Sequence, residues 1–310
     1  MPESSPPGGG WAFRPIPPEP RSIVALIRDG ILDAELAATV WVLLDGRVPL
    51  VVAGAGPGTG RTTLLDAFLD LLPPGIRVVE LQGATETFDW LPQASELGWS
   101  GRTPLTTIEA TSDEPPIRPD STILLAAELA EGLPSSTWGD GARLAVRAAS
   151  VGYGLAATIA GDSLDDVFAS LRRPPVALQD DELSWLGVVL VLRLVGDGRR
   201  RVVAAHYIRP MARDVHGHLQ RLGPAVLATW DPADDGFEQF GWGIAPELAV
   251  RLGCRAGDLE ADIDRRRDYL AGLAAAGVDA PDDVRRAIVG FRHPVIETST
   301  ATSPTNRGST

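Results

Sequence analysis

The stretch VVAGAGPGTGRTTLL, residues 51–65, constrains this chain more than any other. It begins inside a β-branched apolar run, PLVVAG (49–54), which has the composition of a buried strand. It continues into TTLLDAFLDLL (62–72), an apolar pattern with helical spacing that Pro73 and Pro74 stop. A strand that turns straight into a helix leaves the first N–H groups of the helix without partners and directs its positive end at the turn. Gly54, Gly56 and Gly58 let the turn adopt φ > 0 and gather more backbone N–H groups inward. Such a turn suits an anion. It matches the phosphate-loop pattern of a small residue, four of any kind, then Gly-Lys-Ser/Thr. Ala55 opens that pattern, Gly56, Pro57, Gly58 and Thr59 fill it, Gly60 closes it, and Thr62 holds the hydroxyl position with Thr63 beside it. Arg61 stands at the lysine position. A second reading, a tight turn with no ligand, remains beside this one.

Composition bears on Arg61. The chain has no lysine, and all 28 of its basic residues are arginine. Arg61 therefore follows a chain-wide replacement, although a planar guanidinium fork does not do the work of a compact ammonium. The expected ligand is ATP with Mg²⁺, Thr62 binding the metal and Arg61 reaching the β- and γ-phosphates. A net charge of -13 argues against a nucleic-acid or anionic-membrane footprint, which needs clustered positive charge. Cys254, the single cysteine, excludes a disulfide framework and a multi-cysteine zinc site, and fits a reducing cytoplasm. No run is apolar over the roughly 20 residues of a membrane span, and MPESSPPGGG lacks a signal-peptide layout.

Strand and helix patterns alternate along the chain: strands at 76–81, 121–128 and 154–160, helices at 139–152 and 163–173, the last with Ser163 as its N-cap. The runs 186–195 and 200–208 flank GDGR, a hairpin signal. The fold class that follows is an α/β P-loop NTPase (RecA-like) core with a mostly parallel sheet, antiparallel hairpin additions and a helical C-terminal part. The expected divisions are a disordered tail at 1–20, N-terminal helices at 21–48, the core at 49–245, a helical segment at 246–293 and a second disordered tail at 294–310. Strand 121–127 delivers Glu128 at its C-terminal end, the edge where parallel sheets gather chemistry. An acid there can bind Mg²⁺ through water or polarise an attacking water. Glu80, ending strand 76–81, is a weaker candidate for the same edge.

Three segments in order resemble the type II/type IV secretion and pilus-assembly ATPase superfamily, the traffic ATPases, over residues 21 to 250. GRVPLVVAGAGPGTGRTTLLDAFLDLLPPGIRVVELQG is similar to that family's phosphate loop and the strand ending in its acidic box. RPDSTILLAAEL resembles its second nucleotide motif, and GYGLAATIAGDSLDDVFASL its histidine-box region. The resemblance implies that Gly60 is a phosphate-loop glycine, Thr62 the magnesium ligand, Arg61 the phosphate cation, Glu80 the acidic-box glutamate and Glu128 the catalytic glutamate. It also implies a cytoplasmic homo-oligomer, hexameric in the family, that works with secretion or pilus-assembly proteins and is at most peripheral at a membrane complex. The departures are Arg61 for lysine, Ala160 at the histidine position, no arginine after Glu128, an acidic box with only Glu86 beyond Glu80, and two helices and a tail where the family has a large N-terminal domain. Two functions follow. One is an ATP-hydrolysing protein of such a machine. The other is a degenerate, non-hydrolysing nucleotide-binding adaptor or regulatory protein.

Other features read as structural. His206, His216 and His218 lack the companions of a metal site, QDDE (179–182) reads as a helix cap, and the arginine runs at 199–201 and 265–267 as solvated charge. Trp90, Trp99 and Trp138 read as packing residues, any one of which could instead stack on a base.

Overall fold

The computed structural model describes residues 19–101, 117–196, 198–213, 219–220 and 222–293. Nearly all of the tail expected at 1–20, the tail at 294–310, and His216 and His218 lie outside the described residues.

Two helices come first, α1 (Ile23–Arg28) and α2 (Ala34–Asp45). Each starts where a side-chain oxygen, of Ser22 or Asp33, accepts an N–H from the first turn. β1 (Leu50–Gly54) then leads through the glycine-rich loop into α3 (Arg61–Leu69), which ends just ahead of Pro73. Next come β2 (Arg77–Glu80), β3 (Thr122–Leu129), α4 (Asp140–Ala148), β4 (Gly154–Ala160), α5 (Leu164–Arg172) and the one-turn α6 (Asp180–Leu183). Ser163 caps α5 as its sequence predicts, and Gln179 and Glu182 form a reciprocal capping box on α6. β5 (Val188–Val195) and β6 (Arg199–Tyr207) form the expected hairpin. β7 (Ala212–Arg213) pairs with β8 (Leu219–Gln220) in a small separate ladder. β9 (Ala225–Asp231) and β10 (Gly236–Gln239) follow, and α7 (Ala245–Leu252), α8 (Ala256–Ala275) and α9 (Pro281–Arg292) end the described chain.

One sheet runs β10-β9-β6-β5-β1-β4-β3-β2. Neighbours from β5 to β2 are parallel, and β6, β9 and β10 extend it antiparallel. The expected α/β class, mostly parallel with a hairpin extension, is the observed one. β1 shows why the sheet is covered on both faces. Leu50 and Val52 belong to the core beneath α1, α2, α3 and α7 to α9, whereas Val51 and Ala53 belong to the core beneath α4, α5 and α6. The period-two alternation of side chains sends successive residues to opposite layers, so an uninterrupted apolar strand is the only stable composition here. Each large side chain buried this way contributes roughly 1.5–3 kcal/mol.

The C-terminal helices share the first core rather than forming their own: Leu259, Leu270, Val284 and Ile288 pack in one cluster with Trp41 and Phe68. A carboxylate pins this layer. Asp45, at the end of α2, accepts from Arg266 Nη1 at 2.7 Å and from Arg292 Nη1 and Nη2 at 2.9 and 2.7 Å. Both guanidinium groups lie over the Trp41 ring, 4.6 and 5.4 Å from its centroid. The run at 265–267, expected to be solvated, is so only in part. Arg266 is buried because α8 lies along α2 and turns that face inward. Among the described residues no helix is long and apolar enough to cross a membrane.

Candidate functional site

The loop between β1 and α3 is shaped by glycines that could not be replaced without strain. Gly56, Gly58 and Gly60 take φ of 73°, 81° and 96°, values that L side chains avoid. Gly54 has an ordinary φ but no room. A Cβ there would lie 2.8 Å from the Leu192 carbonyl oxygen and 3.2 Å from Arg61 Cγ. Thr59 is buried, and its hydroxyl donates to the Gly56 carbonyl at 3.3 Å. α3 begins at Gly60 with no side-chain cap. Among the described residues, no protein acceptor meets the N–H groups of Gly58, Gly60, Arg61, Thr62 or Thr63, while Thr59 closes a turn onto Gly56. Exposed backbone donors at a helix N-terminus form an anion cradle.

A cavity of about 750 Å³ opens beside this loop, lined by Pro57 to Leu64 from the loop and α3. Glu19, Arg21, Leu26 and Ile31 from α1 and the segments flanking it, with Leu192 and Arg200 from β5 and β6, complete its wall. That volume suits a ligand of nucleotide size. Ala55 and Gly56 are exposed on the loop without lining the cavity.

Arg61 lines the cavity, and its guanidinium also has a partner across the sheet. Its stem crosses the end of β1 and Nη1 donates to Glu128 Oε1 at 2.8 Å. The side chains are 12% and 25% exposed, so the pair is shielded although not sealed. Glu128 Oε2 lies 2.9 Å from the hydroxyl of the fully buried Thr158, whose single proton is shared with the Ala127 carbonyl at 2.6 Å. A bulge brings these groups together. β3 and β4 pair Ala126 with Ala157 and Leu129 with Ile159, leaving one residue too many on β3 between them. That surplus aims Glu128 at Thr158 on the neighbouring strand. The Glu128 carbonyl is held as well, by the Thr137 N–H at 2.9 Å. Glu128 therefore meets the loop through Arg61 and does not itself line the cavity.

The remaining predicted residues lie apart from this contact. Glu80 is exposed at the end of β2, with β3 and β4 between it and β1. Its charge is felt at Asp66 on α3, whose pKa is raised by burial first, then by Asp70 and Glu80. Glu86 is buried and organises its own loop, accepting the N–H groups of Gln82, Thr87 and Phe88 and the Trp90 indole N–H. Ala160 is paired with Gly54, so it does stand at the loop, where it offers only a methyl group. Trp90, Trp99 and Trp138 pack on the second core and line no part of the cavity. Among the described residues no group of His, Cys, Asp and Glu could hold a metal by itself. His206 is partly buried, which lowers its pKa and keeps it neutral.

Reading 199–201 as solvated charge misses two residues. Arg201 is buried, bonded to both oxygens of Asp235 at 2.8 Å and to the Asp29 carbonyl at 3.2 Å. It ties the turn between α1 and α2 to β6. Arg200 reaches over the loop, its Nε donating to the Thr59 carbonyl at 3.1 Å and its Nη2 to the Gly58 carbonyl at 2.9 Å. The GDGR hairpin signal contained the clue, because an antiparallel strand beside β5 returns its first residues to the β1 edge.

No family model matches the chain. Two curated proteins of Methanocaldococcus jannaschii are similar. Uncharacterized protein MJ1287 is 25% identical over 260 residues, covering 80% of this chain and 90% of that protein. Uncharacterized protein MJ0900 is 23% identical over 299 residues, covering 93% of this chain and 52% of that protein, so the chain spans about half of its length. Among solved structures, the VirB11 ATPase of the Brucella suis type IV secretion system, in complex with sulphate, is similar at a TM-score of 0.31 and 18% identity, covering 64% of this chain and 52% of that one. The Legionella pneumophila ATPase DotB is similar at a TM-score of 0.34 and 10% identity, covering 88% and 66%. In both cases this chain spans less than two thirds of the other's length.

Proposed function

We propose that the chain binds ATP with Mg²⁺ at the loop of residues 54–63 and hydrolyses it. One observation supports the reading: residues whose backbone donors lack protein acceptors, at the N-terminus of α3, line a cavity of about 750 Å³. A polyphosphate supplies the acceptors these groups lack. The metal fits the residues present. Mg²⁺ takes one or two protein oxygens and completes its octahedron with phosphate and water, so the exposed Thr62 hydroxyl is a sufficient inner ligand with Glu128 acting through water. When bound, the ion would neutralise charge on the β- and γ-phosphates.

In the reaction a water oxygen bonds to the γ-phosphorus, the bond from that phosphorus to the β–γ bridging oxygen breaks, and ADP leaves. In this reading Glu128 orients the water and takes its proton. Thr158 and the bulge keep the carboxylate at the sheet edge, while Arg61 must let go of Oε1 for that oxygen to face a water. The attribution to a secretion or pilus-like machine rests on the three sequence segments. With it go a homo-oligomer of hexameric type, secretion or pilus-assembly proteins as partners, a cytoplasmic location at most peripheral to a membrane complex, and no nucleic acid.

One observation favours the second reading, a non-hydrolysing nucleotide-binding adaptor or regulator: both Glu128 oxygens already have partners. Steady-state phosphate release separates the two. Hydrolysis requires the wild-type rate to exceed that of Glu128→Gln; equal rates with intact ATP binding select the adaptor. Activity that appears only in Arg61→Lys would identify the guanidinium's grip on Glu128 as the block.

A further inference from the structure

The arginines on the cavity wall are not equivalent. Arg61 is neutralised by Glu128 at 2.8 Å and Arg21 by Asp29 at 2.6 Å. Arg200, the third, has no carboxylate partner among the described residues, and its bonds go to carbonyl oxygens of the loop. Its charge is therefore not tied up in an ion pair, although Glu19 lines the same cavity. The two carbonyls it grips belong to consecutive peptides. In a planar trans peptide the C=O and N–H point in opposite directions. Drawing the Gly58 and Thr59 oxygens to one side thus commits the N–H groups of Thr59 and Gly60 to the other, and a cation at the oxygens polarises both. The approach is close: a Cβ on Gly60 would lie 3.1 Å from Arg200 Cδ. Two of the five guanidinium donors are engaged this way.

We propose that Arg200, on β6 and outside the loop in sequence, is the positioning residue that aims the loop's N–H groups and supplies the positive charge for a nucleoside di- or triphosphate, while Arg61 serves Glu128. The phosphate cation has in effect moved from the helix to the neighbouring hairpin. This rests on the nucleotide reading of the same site. It also accounts for how a loop without lysine, whose own arginine is engaged elsewhere, remains cationic.

Calorimetric titration of the full chain with ATP and Mg²⁺ tests it, using wild type, Arg200→Ala, Arg200→Lys and Arg61→Ala. Arg200→Ala should weaken binding about tenfold or more, the scale of a lost charge-assisted hydrogen bond. Arg61→Ala should weaken binding less than Arg200→Ala does, and Arg200→Lys should recover most of what alanine loses. Because Arg200 is exposed, the melting temperature without nucleotide should stay near wild type in Arg200→Ala, separating a local effect from misfolding. Unchanged affinity in Arg200→Ala overturns the proposal, as does a larger loss in Arg61→Ala. Equal weakness of the lysine and alanine variants overturns it too, because loop geometry alone would then be the cause. A wild type that binds no ATP defeats the nucleotide reading, and the proposal with it.

Discussion

One arginine–carboxylate cluster lies at the C-terminal end of α2 and another at the N-terminal end of α3, and they differ in how completely they are closed. At Asp45 both carboxylate oxygens face guanidinium groups from two helices, and Trp41 roofs both cations. At Glu128 a single arginine takes one oxygen and a buried threonine the other, with the arginine itself on a cavity wall. The first arrangement holds helices together, because Asp45 has two cations and Arg266 a second carboxylate, Asp262, so each charge keeps a partner. The second can be rearranged, because an incoming anion offers Arg61 another partner. A chain without lysine thus uses one residue type both as cement and as a movable contact. Burial and the number of partners decide which role each arginine takes.

The largest expected effect lies on the closed side. Asp45→Ala leaves the part-buried Arg292 without a carboxylate and Arg266 with Asp262 alone, at a cost of about 3 kcal/mol. Chemical denaturation should show that loss while nucleotide affinity, measured well below the new transition, stays unchanged. A loss under 1 kcal/mol would mean that the cluster behaves as a surface pair. Next comes Glu128→Gln, expected to lower phosphate release on the order of a hundredfold or more while costing less stability than Asp45→Ala. A variant that loses as much stability as Asp45→Ala and no turnover would make Glu128 a second structural carboxylate.

The smallest effect concerns a carboxylate with no arginine. Asp33 caps α2 and accepts from Gln239 at 2.8 Å, and burial raises its pKa above 3.8. The sign follows directly. A raised folded-state pKa means the folded chain holds the proton more tightly than the unfolded chain, so stability from this group is present at low pH and is lost as pH rises through the folded value. Asparagine caps as well as aspartate but cannot titrate. The melting temperature of wild type relative to Asp33→Asn should therefore rise as pH is lowered from neutral toward 4. A difference that does not vary with pH would remove Asp33 from the comparison.

Much of this was legible in local pattern. The β1–loop–α3 unit, the position of Glu128 and the Ser163 cap follow from periodicity and turn chemistry, because each is decided within a few residues. What stayed hidden depends on strand order and register. The bulge that joins Glu128 to Thr158 arises only once β3 lies beside β4. The burial of Arg266 and Arg201, and the reach of Arg200 over the loop, require α8 on α2 and β6 beside β5. Arg61 illustrates the same limit. Its position follows from the loop pattern, while its partner is a residue 67 positions away.

The central claim is that the 54–63 backbone is a polyphosphate cradle, and a titration of the full chain with ATP and Mg²⁺ beside the same titration of Gly60→Ala tests it most directly. The account predicts saturable binding by wild type and clear weakening in the variant, whose new Cβ at φ 96° meets Arg200 and disturbs the loop. Absence of wild-type binding, or equal affinity in the two proteins, would contradict it.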